Sequence, residues 1–185
     1  MSRLFNLVLS SLIFLILTFP MLIIALVIVL KDREYPLYFS SRIGKNNRPF
    51  LMPKFRTMHS KTPQEATHLL ENPNEYLLST GSFLRKYSLD ELPQLINVLQ
   101  GSMSLVGPRP LPVDETKRFE DLSHRRRLSV KPGLTCLWQI SGRNEVKEFS
   151  DWVRLDLEYI DNWSLVSDFK IIIKTFNEII NLTGD

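Results

Sequence analysis

A chain of 185 residues with 44% hydrophobic and 23% charged residues has the balance of one globular domain with a sizeable core. Its net charge of +3 suits phosphate or anionic-lipid partners and is too small to argue for nucleic acid. One cysteine, Cys136, excludes an internal disulfide framework and a cysteine-rich zinc site, and fits a reducing compartment.

The apolar residues gather at the N-terminus. Leu4 to Leu30 carries no charge, and as a helix it would run roughly 40 Å, more than the ~30 Å hydrocarbon core of a bilayer. It is too long for a signal peptide, and charged Lys31–Glu34 follows where a small-residue cleavage site would lie. Pro20 removes a backbone hydrogen bond, so a bend is expected there, and Met21–Leu30 is too short to cross alone. Arg3 precedes the segment; Lys31, Arg33, Arg42, Lys45 and Arg48 follow it. Basic residues on both sides favour two cytoplasmic ends, as in a re-entrant helix. These observations leave spanning and re-entrance equally open, and both place the segment in a membrane.

Farther along, Leu37–Ile43 and Pro49–Met58 flank Gly44-Lys45-Asn46-Asn47, the pattern of a β-hairpin. Lys54 and Arg56, two residues apart, would share a strand face. Ser60–Thr80 is polar with room for a short helix. Leu92–Gln100 reads as a helix stopped by Gly101. Val106-Gly107-Pro108-Arg109-Pro110 is a stiff loop, and Val113–Leu128 an amphipathic helix ending in His124-Arg125-Arg126-Arg127. Lys131-Pro132-Gly133 is a turn leading through Trp138 to the Ser141–Asn144 loop, and two helical patterns, Ser150–Ile160 and Leu165–Leu182, finish the chain. The expected fold is therefore α+β, mainly short helices and loops with a small β-hairpin.

Ser88-Leu89-Asp90-Glu91-Leu92-Pro93 opens a helix, so Asp90 and Glu91 lie where free N–H groups and the dipole favour negative charge. Such a site binds phosphate, holds a metal between carboxylate and phosphate oxygens, and lets a carboxylate attack phosphorus. The same residues also spell a capping box, Ser88 with Glu91, which needs no function at all. Arg109, held between two prolines, and Arg143, after Gly142, are rigid-loop cations whose forks match phosphate oxygens. Lys54 and Arg56 can join them, although each cation taken singly reads equally as a solvated charge. Arg125, Arg126 and Arg127 read as contacts to anionic headgroups or as a solvated helix end. His59, His68 and His124 have no metal-ligand spacing, and there is no P-loop or Gly-rich dinucleotide fingerprint.

These stretches resemble the bacterial sugar transferases, the monotopic phosphoglycosyl transferases. The resemblance rests on Lys54-Phe55-Arg56-Thr57-Met58, Ser88–Gln94, Met103–Pro110, Lys131–Thr135, Trp138–Asn144 and Leu155–Ile160, in order over nearly the whole chain. It implies a kinked re-entrant membrane helix over residues 1–31, amphipathic interfacial helices, and a membrane-associated catalytic domain over 32–185 on the cytoplasmic face of the bacterial inner membrane. It implies transfer of a sugar phosphate from a UDP-sugar to polyprenyl phosphate with Mg2+, initiating surface-glycan or exopolysaccharide assembly. By matching position, Asp90 would be the nucleophile and Glu91 its partner, the two forming the metal site. Lys54, Arg56, Arg109, Arg143 and Asp156 would serve the phosphates and nucleotide. The partners implied are the UDP-sugar, the polyprenyl phosphate, membrane lipids and a second copy of the chain; nucleic acid is not among them.

Two departures stand out: Phe19 where some members have Ser before the proline, and Cys136 where many have Gly. The Trp138–Asn144 wording resembles larger relatives that use UDP-glucose or UDP-galactose, so a minimal catalytic unit without their additional membrane domain is expected. Two competing readings remain at this level: a non-catalytic membrane module that binds nucleotide-sugars or anionic lipids, and direct transfer without a covalent intermediate.

Overall fold

The computed structural model describes residues 3–63, 72–113, 122–141 and 148–180. Helix α1, Arg3–Val27, runs unbroken through Pro20 and is extended by a π-turn, Ile28–Asp32, which Arg33 ends in the left-handed region at φ 54°. Pro20 leaves the Ile16 carbonyl without its usual donor. Just before it the Thr18 hydroxyl donates to the Phe14 carbonyl at 2.7 Å, the back-bonding that bends helices in apolar settings.

One face of α1 covers the rest of the protein. Leu9, Ile13, Phe14 and Leu17 pack on a cluster containing Met52, Leu95, Val98, Met103, Leu105 and Ile171. Farther along, Met21, Ile24, Ala25 and Ile28 pack on Phe55, Leu78 and Leu84. Both ends are tied by polar bonds. Asn6 Nδ2 donates to Ser104 Oγ (3.1 Å) while Asn6 Oδ1 accepts the Leu105 N–H (2.9 Å). At the far end Asp32 accepts from Ser79 and Thr80 hydroxyls, both at 2.6 Å. The opposite face, including Leu4, Leu12, Leu15, Phe19, Leu22 and Leu30, is exposed.

The hairpin forms where the turn residues require it. Strands β1 (Leu37–Ile43) and β2 (Pro49–Phe55) pair antiparallel, and Asn46 and Asn47 supply the positive φ of the connection. Tyr38, Ser40 and Arg42 stand opposite Lys54, Met52 and Phe50, so these six share one face. After the 3-10 turn Pro73–Tyr76 come α2 (Gly81–Lys86), a second 3-10 turn (Leu89–Gln94) and α3 (Leu95–Gln100), which Gly101 stops at φ 86°. Strand β3 (Ser104–Val106) follows, then β4 (Leu111–Pro112), which joins β1. Of the expected Val113–Leu128 helix, the described part is α4 (Leu122–Arg126) and a 3-10 turn, Arg127–Ser129. Helices α5 (Phe149–Asp161) and α6 (Leu165–Ile180) close the described chain.

The sequence reading has no counterpart for the parallel pair of β3 with β5 (Gly133–Thr135). Two glycines make it possible. A Cβ on Gly133 would lie 2.1 Å from the Gly107 nitrogen, and one on Gly107 would lie 2.5 Å from the Lys131 carbonyl oxygen. Gly133→Ala should therefore force these backbones apart, at a cost of about 1–3 kcal/mol. The check is a lowered thermal unfolding midpoint of the detergent-solubilised protein.

Candidate active site

A 3-10 turn has three residues per turn, so side chains three apart lie on one face. In Leu89–Gln94 this aligns Glu91 with Gln94, and both line an open recess. The hairpin face contributes Arg42, Met52 and Lys54; the loop after β3 contributes Arg109 and Pro110; the stretch from β5 onward contributes Leu134, Cys136 and Gln139. Asp90 stands beside this wall, 9% exposed. Lys54 Nζ links the pair, 2.7 Å from Glu91 Oε1 and 3.9 Å from Asp90 Oδ2.

The capping-box alternative is not realised. Ser88 is left-handed (φ 53°) and its side chain makes no cap bond, while its N–H donates to the Arg85 carbonyl at 3.0 Å. Glu91 reaches Lys54. Burial pushes the Asp90 carboxyl up to about 6; the Lys54 charge pulls it down, the adjacent Glu91 pushes it up, and Arg85 pulls it down. A buried carboxylate held near neutrality beside a second one is a common mark of a working site. Two adjacent carboxylates on the edge of an open recess are hard oxygen donors, and no third His, Cys, Asp or Glu joins them among the described residues. That donor set fits Mg2+, which is usually bound through one or two carboxylates, substrate phosphates and water.

Arg109 is positioned by its neighbours. Its guanidinium lies 4.8 Å from the centre of the Trp138 ring, within reach of a cation–π contact. Its carbonyl accepts from Arg127 Nη2 at 3.2 Å, and its N–H donates to Asp156. Arg127 and Asp156 form an ion pair in which both side chains are almost wholly buried. Burial pushes the Asp156 carboxyl up to about 6, against the pull of Arg127 and of the Arg109 N–H and charge. Asp156 thus grips the back of the Arg109 loop rather than lining the recess. The headgroup reading of Arg127 is corrected here: the residue is 2% exposed and internally paired. Arg126 pairs with Asp161 on the surface.

Arg56 also points elsewhere. It lies just past the end of β2, where strand alternation no longer sets its direction, and its guanidinium donates to the Tyr35 and Leu37 carbonyls at 2.8 and 3.3 Å. Arg143 falls outside the described residues. The structure thus brings together Lys54, Asp90, Glu91 and Arg109.

Sequence reasoning passed over Arg42, Arg85, Gln94 and Gln139. Arg42 was accessible, because a hairpin turn at Gly44–Asn47 puts it on the Lys54 face. Gln94 was accessible once the Asp-Glu turn is read as 3-10. Arg85 and Gln139 carried no local signal. Cys136, on the wall, has its thiol pushed up to about 12 by burial, and so is a packing residue rather than a nucleophile.

The bacterial sugar transferase family profile matches residues 1–182. The chain is 42% identical to the galactosyl transferase CpsE of Streptococcus agalactiae serotype III, over 83% of this chain and 36% of that protein. It is 37% identical to the undecaprenyl-phosphate galactose phosphotransferase of Salmonella typhimurium, over 100% of this chain and 41% of the relative. Against these two it spans well under half of the relative's length. It is also 38% identical to the exopolysaccharide production protein ExoY of Rhizobium meliloti, over 94% of this chain and 83% of ExoY. The chain belongs to the bacterial sugar transferase family.

Proposed function

We propose that this protein transfers a sugar 1-phosphate from a UDP-sugar to undecaprenyl or a similar polyprenyl phosphate, releasing UMP and initiating surface-glycan assembly. The observation that carries the reading is the buried Asp90 beside Glu91, with Lys54 between them and Arg109 across the recess. Relatives named as undecaprenyl-phosphate galactose phosphotransferase and UDP-glucose:undecaprenyl-phosphate glucose-1-phosphate transferase support the substrate class.

In the proposed first step an Asp90 carboxylate oxygen attacks the sugar-bearing phosphorus. The bond from that phosphorus to the bridging oxygen breaks, and UMP leaves with the electron pair, so the phosphosugar is held on Asp90. In the second step a phosphate oxygen of the polyprenyl carrier attacks the same phosphorus. The bond to Asp90 breaks, the carboxylate is restored, and the sugar diphosphate-lipid departs. A proton remaining on the carrier phosphate passes to Glu91 or to water. Lys54 and Arg109 balance charge on the phosphates, and Trp138 with the Arg127–Asp156 pair keeps Arg109 in place. Asp90 and Glu91 would hold Mg2+, which supplies charge neutralisation for phosphoryl transfer.

The same proposal places the chain on the cytoplasmic face of the inner membrane. A helix that crosses a bilayer delivers its far end to the other compartment, whereas both ends of α1 are bonded to one domain. Its outward apolar stripe suits lipid, which supports a helix that enters and returns. On α6, Leu165, Val166, Phe169, Ile173 and Phe176 are exposed, and the Phe169 ring meets Phe5 of α1 at 5.1 Å. This continues the apolar surface and supports an interfacial position for α6.

The test is UMP release from a panel of UDP-sugars by detergent-solubilised protein with Mg2+, with and without polyprenyl phosphate. Turnover that needs the acceptor, with a stoichiometric UMP burst without it, is expected for one sugar. UMP release strictly dependent on acceptor, with no burst, would instead select direct transfer.

A further inference from the structure

Gln94 is a polar wall residue that the scheme above leaves unused. Its side chain is 3% exposed and lines the recess, yet its Nε2 has no hydrogen-bond partner among the described residues. A buried amide donor left unpaired costs about 1–3 kcal/mol, so such a group calls for an explanation. Around it the polar wall carries Lys54, Arg42 and Arg109, and Glu91 stands one 3-10 turn before it on the same face. A neutral N–H donor set among cations complements an oxygen that only accepts.

We infer that Gln94 is a substrate-binding residue whose Nε2 donates a hydrogen bond to a non-bridging oxygen of the donor's diphosphate. The inference rests on the functional reading above, in which a UDP-sugar enters this recess. The Lys54 ammonium neutralises charge as a point charge, without strong directional preference. A rigid carboxamide next to the attacking pair selects one oxygen, and so fixes which face of the phosphorus is presented to Asp90. Gln94 then acts by orientation, and its loss should be felt in binding of the diphosphate rather than of the nucleoside.

The experiment compares wild type with Gln94→Met, whose side chain has a similar shape and no donor, in the full-length detergent-solubilised protein. Binding of uridine, UDP and UDP-galactose is measured together with the unfolding midpoint without ligand. The expected result is a roughly tenfold loss of affinity for both UDP and UDP-galactose, unchanged uridine binding, and an unchanged or raised midpoint. Gln94→Glu, which keeps the outline but offers an acceptor, should weaken UDP further and carries the test if the Met variant folds poorly. Unaltered UDP affinity overturns the assignment, as does a loss confined to UDP-galactose, which would mean a sugar contact. An equal loss for uridine would mean a structural role and also overturns it. Wild-type protein that binds neither UDP nor any UDP-sugar overturns the functional reading itself, and the assignment with it; wild-type binding that Gln94→Met leaves intact removes the assignment alone.

Discussion

Asp90→Asn protein should fold normally and release no UMP above background, with or without the lipid acceptor. An amide has nearly the outline of a carboxylate but is no nucleophile at phosphorus, so the drop in turnover should be roughly 10⁴-fold or more. The missing UMP burst distinguishes this from a damaged acceptor site, which would leave the first half-reaction intact. The stability change should run the other way. Burial pushes the Asp90 carboxyl up to about 6 in the folded protein, above its ordinary range. The folded state therefore binds the proton more tightly, and stability falls as pH rises from about 4 through 6. At pH 7 the ionised carboxylate is a standing cost that the neutral amide removes, so the unfolding midpoint of Asp90→Asn should be equal or higher. In the wild type the carboxylate form is the reactive one. A fully active Asp90→Asn protein would remove covalent transfer from consideration.

Asp156→Ala should unfold far more easily than wild type, by about 3–5 kcal/mol, because it leaves the Arg127 guanidinium buried without its counter-charge. Denaturant unfolding in detergent reads this directly, as a lower midpoint at constant slope. The paired replacement, Arg127→Met with Asp156→Leu, should recover most of that loss, since apolar residues of similar volume often substitute for a buried ion pair without net cost. Activity should not recover with it. The Arg109 backbone is held by the Asp156 carboxylate on one side and the Arg127 guanidinium on the other, and neither survives. A stable but impaired double variant, with KM for the UDP-sugar raised, would identify the pair as a positioning device. Restored activity would reduce it to core packing.

The hairpin and its turn were legible because Gly44–Asn47 is strong local punctuation, and the apolar helix because nothing interrupts its hydropathy. The same local rules placed Lys54 on a working face and Asp90 with Glu91 at the start of a helical segment. They failed where distant chain decides. Arg127 looks like the third member of a surface-charge run, and only the docking of α5 places Asp156 against it. The β3–β5 pair joins two three-residue strands whose alternation is too short to read, and Gly107 and Gly133 have meaning only against each other. Arg56 shows the limit of periodicity: one residue beyond a strand end, the rule that placed Lys54 no longer applies.

The inner face of α1 also sets the order of events in biosynthesis. The helix emerges from the ribosome before Ser104, Leu105 and Ile171, the groups that meet its first half. Until they arrive, Asn6 and Ser10, both buried in the folded protein, have no domain to rest against. On the membrane placement proposed above, insertion and folding become two halves of one process, completed when the late elements dock onto a helix already held in lipid. Helix α1 is consequently part of the core, and cutting it away would expose the floor of both hydrophobic clusters.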